Sequence, residues 1–178
     1  KVYEANITLF NAFRKTDYDN EGKFAFERYM SAHCIMMGFE GIPAIYFNSI
    51  FGNSNDYSKF IISGNKRDLN RYRWNKDKLE NHLRDETSKQ SKYYKSITEI
   101  LSIRRKQKAF HPNAARKTLN LGPSFFGIKR TSINGKQSVY CITNITSSSK
   151  SIVLKKEITN SKNLLKQNVT VKNSILFF

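Results

Sequence analysis

Gly41-Ile42-Pro43-Ala44-Ile45-Tyr46-Phe47 is the stretch on which the reading of this chain turns. It is a continuous apolar run, β-branched and aromatic, opened by a glycine. Its length and content predict a strand over 42–47 buried on both faces, as in a parallel sheet. Pro43 sits at its first positions, where a missing backbone donor is tolerated. Upstream, Phe26, Tyr29, Met30, Cys34 and Met37 recur at three- and four-residue steps, which predicts a helix over 26–37. Gly38 and Gly41 break that pattern, with Glu40 between them. Helix, tight turn and buried strand form the rhythm of an α/β domain. One helix and one strand cannot complete a parallel sheet, so this part reads either as tiny or as the tail of a larger barrel.

Beyond the strand, residues 48–75 read as a long loop. Loops of that length in compact domains are usually functional, and loops at the C-terminal ends of parallel barrel strands carry active sites. Helices are predicted over 76–84 and 91–106. In the second, Tyr94, Ile97, Ile100, Leu101 and Arg104 share a face, and Ser91 is the expected N-cap. The texture changes at Phe110-His111-Pro112-Asn113. Short β-branched runs follow (RKTLNL, SFFGIKRT, QSVYCITN, SIVLKKEI, VTV and SILFF), separated by turn residues. Asn134-Gly135 between two of them is a hairpin signal. Five or six short strands at this spacing predict an antiparallel sandwich. The expected division is 1–109 for the α/β part and 110–178 for the β-domain.

Composition narrows the classes. The chain has 178 residues, of which 39% are apolar, and its 13 Phe and 9 Tyr are too many for a solvated, disordered chain. No run approaches the roughly 20 apolar residues of a membrane span. The first ten residues lack the pattern of a secretory signal and a starting Met, so the chain reads as a processed product or a cut piece. Cys34 and Cys141 form no CxxC, and reduced cytoplasmic thiols are the expectation. Lys and Arg number 31 against 14 Asp and Glu, a formal charge of +17. The densest basic stretches are Lys66-Arg67, Arg71-Tyr72-Arg73-Trp74 and 104–108. No RNP1 pattern, C2H2 spacing or GxxG clamp accompanies them, so the charge reads as a solvated basic surface ahead of a nucleic-acid-binding module.

Other motifs fail on their own chemistry. Asp17-Tyr18-Asp19-Asn20-Glu21-Gly22 opens like a calcium loop, but the twelfth position, which needs a bidentate Glu, is Arg28. His33, His82 and His111 are too dispersed to hold a metal. Asn6, Asn144 and Asn168 fit the glycosylation pattern without a secretory context. No GxSxG, HExxH or P-loop occurs. Glu4, Glu40 and Asp56 lie near predicted strand ends or loops, but no spacing marks two of them as an acid and nucleophile pair.

Glu40 to Phe47 resembles the eighth barrel strand of the α-amylase superfamily, glycoside hydrolase family 13. A longer match is similar to the sucrose phosphorylase group of that family: Tyr3-Glu4-x-Asn6, the helix text ending Cys34-Ile35-Met36-Met37, GIPAIYFNSIFGNSND over 41–56, SGNKRDLNR over 63–71 and ILSIRRKQKAFHPN over 100–113. The terminal strands resemble the family's C-terminal β-domain, so the resemblance covers essentially the whole chain.

The resemblance implies the C-terminal end of a (β/α)8 barrel followed by an antiparallel β-sandwich. Family members carry three catalytic carboxylates, after strands four, five and seven. This chain would begin after strand seven and hold none of them. It would be inactive alone and would need the upstream barrel segment of the same protein. The implied reaction is retaining transfer of glucose from an α-glucoside to inorganic phosphate, without a cofactor. Arg67 matches the arginine of the acceptor and phosphate subsite, and Arg71 is the neighbour that shares or holds that role. Tyr3 and Glu4 resemble the acceptor-loop dipeptide, which is Tyr-Gln in sucrose phosphorylases and Tyr-Glu in relatives acting on other glucosides. Asn55 and Asp56 close the strand-eight match and complete the implied substrate-binding set. An α-glucosidase or transglucosidase of the same superfamily, with Arg67 in a loop ion pair to Asp56 or Asp68, is the other enzymatic reading.

Overall fold

The computed structural model describes residues 4–153, 158 and 161–165, together with the backbone of 170–172 and 175–177. The helices are α1 (Leu9–Arg14), α2 (Ala25–Gly38), α3 (Phe47–Ile50), α4 (Tyr57–Ser63), α5 (Lys76–Arg84) and α6 (Lys89–Arg105), with 3-10 turns at Lys66–Leu69 and Lys108–Phe110. The strands are β1 (Ala115–Leu119), β2 (Phe125–Thr131), β3 (Ser138–Asn144), β4 (Ser151–Val153), β5 (Thr170–Lys172) and β6 (Ile175–Phe177). The chain divides into two compact units, 1–30 with 44–98 and 31–43 with 99–178. Among the described residues, no helix is long and apolar enough to cross a membrane.

The first unit is built on aromatic rings. Phe10, Tyr29 and Tyr93 are buried. Tyr93 meets Phe10, Phe26 and Tyr29 edge-on, with ring centroids 5.8, 5.0 and 5.1 Å away. These are the offset and T-shaped geometries that the ring quadrupole favours. The Tyr29 hydroxyl donates to Ser49 O at 2.6 Å, so the ring's polar end is satisfied. Lysines cover the cluster: Lys89 Nζ stands 3.1 Å from the Phe10 centroid, and Lys92 Nζ 3.8 Å from that of Phe26. Burial, with the nearby charge of Arg14, pushes the Lys89 ammonium down to about 8.

Two expectations change in this part of the chain. Helix α6 starts at Lys89, because Ser88 rather than Ser91 supplies the cap: Ser88 Oγ accepts from Ser91 N at 3.0 Å. Ser91 is buried, and its own hydroxyl donates to Leu83 O at 3.2 Å. Helix α5 matches its expected bounds, with Asn75 Oδ1 accepting from Lys78 N. The region read as one loop over 48–75 holds most of α3, all of α4 and a 3-10 turn.

The larger correction concerns residues 42–47. They form no strand: 42–46 carry neither helix nor ladder, and Phe47 opens α3. Ile42 is 84% exposed and Tyr46 55%. A strand destined to be buried on both faces needs a hydrogen-bonding neighbour on each side. The described residues supply no parallel neighbour, so the apolar pattern stands without its ladder.

Among the described residues, the strands all lie in the second unit. One sheet has the order β1-β2-β3, antiparallel, with Ala115 opposite Thr131 and Phe125 opposite Asn144. The expected hairpin lies between β2 and β3. Gly135 adopts φ 71°, which favours glycine, and Asn134 Oδ1 accepts from Lys136 N at 3.1 Å. A second antiparallel sheet has the order β4-β6-β5. Much of the SIVLKKEI run lies outside the described residues.

Central strand β2 carries the fully buried Ile128 and Arg130. Arg130 Nη1 donates to Gly38 O at 3.2 Å and to Phe39 O; Nη2 donates to His111 O at 2.9 Å and Ala114 O at 3.2 Å. Arg104 adds Nε to Met37 O at 3.0 Å and Nη2 to Gly41 O at 3.2 Å. These carbonyls include those that the end of α2 leaves without helical partners, and a cation there also meets the negative end of the helix dipole.

Two outcomes follow for stability. Replacing Arg130 by Ala leaves four backbone carbonyls, two of them in buried contacts, without this donor and opens a void, so guanidinium denaturation should show a loss of about 3 kcal/mol; Arg130→Lys, with a point charge for a fork, recovers only part. For Lys89 the folded value lies below the unfolded one, so the unfolded chain binds more protons between about 8 and 10.5, and this group's contribution rises with pH across that window. The charged form is therefore the costly one at neutral pH, partly offset by the ring contacts. Lys89→Met should raise stability at pH 7 by about 1–2 kcal/mol, and urea titrations at pH 7, 9 and 10.5 should show that gain shrinking.

Candidate functional site

The site lies wholly within the first unit and is assembled by three short local devices. Asp56 Oδ1 accepts from Lys59 N at 3.0 Å and starts α4. Gly64 ends that helix, its N–H on Phe60 O at 2.9 Å. Asn65 Oδ1 then accepts from Arg67 N at 3.0 Å and starts the 3-10 turn. Asp56 N donates to Leu69 O at 2.8 Å, which folds that turn back against α4. Downstream, buried Asn48 donates through Nδ2 to Tyr72 O at 2.8 Å and holds the extended segment after the turn.

This scaffold surrounds an open cleft of about 430 Å³. Lys59, Arg67, Arg71 and Arg73 line it, with Asp68, Asn65 and the rings of Tyr46 and Tyr72. Lys59 Nζ pairs with Asp68 Oδ1 at 2.7 Å. Hydrogen bonds from Lys59 and then Ser63 hold the Asp68 carboxyl below the usual carboxylate range. Arg67 donates through Nε at 3.1 Å and Nη2 at 3.0 Å, both to Glu4 Oε2. Arg71 Nη2 lies 3.9 Å from Glu4 Oε1. With Glu4 counted, the cleft holds four cations and two carboxylates, an excess of two positive charges suited to a small anion.

The residues expected at the site separate into two groups. Glu4, Arg67 and Arg71 come together at the cleft. The ion partner of Arg67 is Glu4, not Asp56 or Asp68. Asn55 is a staple instead: its Oδ1 accepts from Thr8 N at 2.8 Å, its N–H donates to Asn11 Oδ1 at 2.9 Å, and its Nδ2 donates to Tyr57 OH at 3.2 Å. Asp56 is a helix cap. Tyr3 lies outside the described residues. Lys59, Arg73, Tyr46 and Tyr72 were not expected at the site. The basic, aromatic run Arg71-Tyr72-Arg73-Trp74 was a legible signal for two of them; nothing local marks Lys59, which reaches the cleft only because α4 packs on the turn.

No family model matches the chain. Among curated proteins it is similar to a glucosylglycerate phosphorylase of Allomeiothermus silvanus, 34% identical over 144 residues, covering 81% of this chain and 25% of the relative. A glucosylglycerate phosphorylase of Escherichia coli is 30% identical over 150 residues, covering 84% of this chain and 26% of the relative. The chain thus spans about a quarter of the length of these relatives. Among solved structures it is similar in fold to a variant of AmyP in complex with maltotriose, with a TM-score of 0.63 at 11% identity, covering 87% of this chain and 33% of that one. In sequence the chain is thus similar to the C-terminal part of glucosylglycerate phosphorylases, and in fold to an enzyme of the α-amylase type, which agrees with the resemblance to glycoside hydrolase family 13.

Proposed function

We propose that this chain is the C-terminal part of a retaining α-glucoside phosphorylase, which transfers glucose from a glucoside to phosphate and releases glucose 1-phosphate. In this reading 1–109 closes the (β/α)8 barrel, the run 42–47 holds the place of the eighth strand and gains a ladder only from the upstream barrel strands, and 110–178 is a β-sandwich domain. The three catalytic carboxylates belong to the upstream segment, and the two free thiols suit a cytoplasmic enzyme.

The observation that carries the reading is the cleft where Arg67 and Arg71 converge beside Lys59 and Arg73. A retaining enzyme first forms a covalent glucosyl ester on a carboxylate, and a second nucleophile then opens it. When that nucleophile is phosphate, a dense negative charge must approach a site already rich in carboxylates. A guanidinium fork holds it by two parallel hydrogen bonds as well as by charge. The same excess of positive charge suits an acceptor that itself carries a carboxylate, as glycerate does in the substrate for which the relatives are named. Glu4, in place of the Gln of sucrose phosphorylases, agrees with an acceptor other than fructose. The ion pair of Arg67 with Glu4 favours the second reading, an α-glucosidase or transglucosidase in which Arg67 is structural.

In the full-length parent, Arg67→Ala should reduce phosphorolysis by roughly ten- to a hundredfold, since a charge-assisted contact is worth ~1.5–3 kcal/mol. Hydrolysis of the same donor should persist, because water needs no clamp. Side-by-side assays that fall equally would assign Arg67 to loop structure, and a selective loss in Arg71→Ala would move the clamp there. The chain by itself should release no glucose 1-phosphate from α-glucosyl donors, since a retaining mechanism needs two carboxylates about 5 Å apart across the bond; product above a no-protein control refutes the fragment reading.

A further inference from the structure

We infer that Glu4 is an internal occupant of the anion site: its carboxylate holds Arg67 and Arg71 until an incoming phosphate displaces it, and Glu4 thereby sets how tightly the cleft takes phosphate. This rests on the reading of Arg67 as the phosphate clamp. The geometry first shows an unsaturated contact. Both Arg67 donors, Nε and Nη2, fall on the single oxygen Oε2 rather than on two oxygens. The other oxygen reaches Arg71 only at 3.9 Å. A phosphate presents more oxygens and more charge to the same forks and satisfies donors that one carboxylate leaves shared.

Exposure makes the exchange inexpensive. The side chains of Glu4, Arg67 and Arg71 are 29, 49 and 54% exposed, and ion pairs this open contribute little to stability. The displaced carboxylate faces water and is solvated again. Asp68, the other carboxylate of the cleft, is no competitor, because it is committed to Lys59 at 2.7 Å. Phosphate seated on Arg67 with Glu4 still beside it places like charges within a few ångströms, so Glu4 weakens binding both by occupying the donors and by repulsion. Gln at this position keeps the shape and removes both effects. Glu4 is thus a positioning residue for anion affinity, separate from the clamp itself.

The test uses this chain, inorganic phosphate and low ionic strength. The Nε–H resonance of Arg67 is followed by NMR through a phosphate titration of the wild type, Glu4→Gln, Glu4→Ala and Arg67→Ala, with backbone spectra confirming the fold of each. Both Glu4 variants should bind phosphate about tenfold more tightly than the wild type, with the Arg67 resonance moving at saturation, and Arg67→Ala should lose binding. Unchanged or weaker binding in both Glu4 variants, with Arg67→Ala impaired, overturns the role of Glu4 and leaves the clamp standing. Wild-type affinity in Arg67→Ala, or no binding by the wild type and both Glu4 variants, overturns the clamp and the displacement together.

Discussion

A single guanidinium organises the second unit. Arg130 has no exposed surface, and its partners are four backbone carbonyls drawn from residues 38, 39, 111 and 114. A buried charge is tolerated only where hydrogen bonds replace the water it has lost. Here Nη1 and Nη2 find that replacement on the end of α2 and on the turn that leads into β1, while the buried Nε has no hydrogen-bond partner among the described residues. Gly38 also lies beside β3: a Cβ built there would stand 3.4 Å from Cys141 Sγ, at ordinary contact distance.

The first unit solves a different problem. Its aromatic cluster supplies burial, but its surface carries many lysines. Lys89 and Lys92 lie over ring faces, which lets their stems cover apolar area while the ammonium groups meet the negative quadrupole. The cleft residues are treated in the opposite way. Arg67 and Arg71 remain half exposed and their ion pairs are long or shared. Charges buried as Arg130 is buried are locked; charges left as Arg67 is left are available to a ligand.

The scaffold beneath the cleft is assembled from small polar side chains rather than from core packing. Asp56, Asn65 and Asn75 each start a helix or turn by accepting one backbone N–H. Asn55 and Asn48 tie segments together across the sequence. Such contacts direct backbone at the surface, where apolar burial has little purchase. They explain why a region read as one long loop contains α4 and a 3-10 turn: each is started by a side-chain cap that a hydrophobic pattern does not reveal.

Some of this was determined by sequence alone. The three-four spacing from Phe26 to Met37 marked α2, Asn134-Gly135 marked the β2–β3 hairpin, and 76–84 was read as a helix with the bounds that α5 has. Those features depend on residues near one another in the chain, where periodicity and turn chemistry act directly. The GIPAIYF run was legible as a strand in composition, yet its ladder requires partners from elsewhere, and the described residues supply none. The site divides in the same way. Arg67 and Arg71 stood out in a basic run, but their pairing with Glu4, some sixty residues away, and the entry of Lys59 were decided by tertiary structure. Charge placed by local sequence becomes a site only when the backbone brings distant carriers within a few ångströms, and no local pattern encodes that distance.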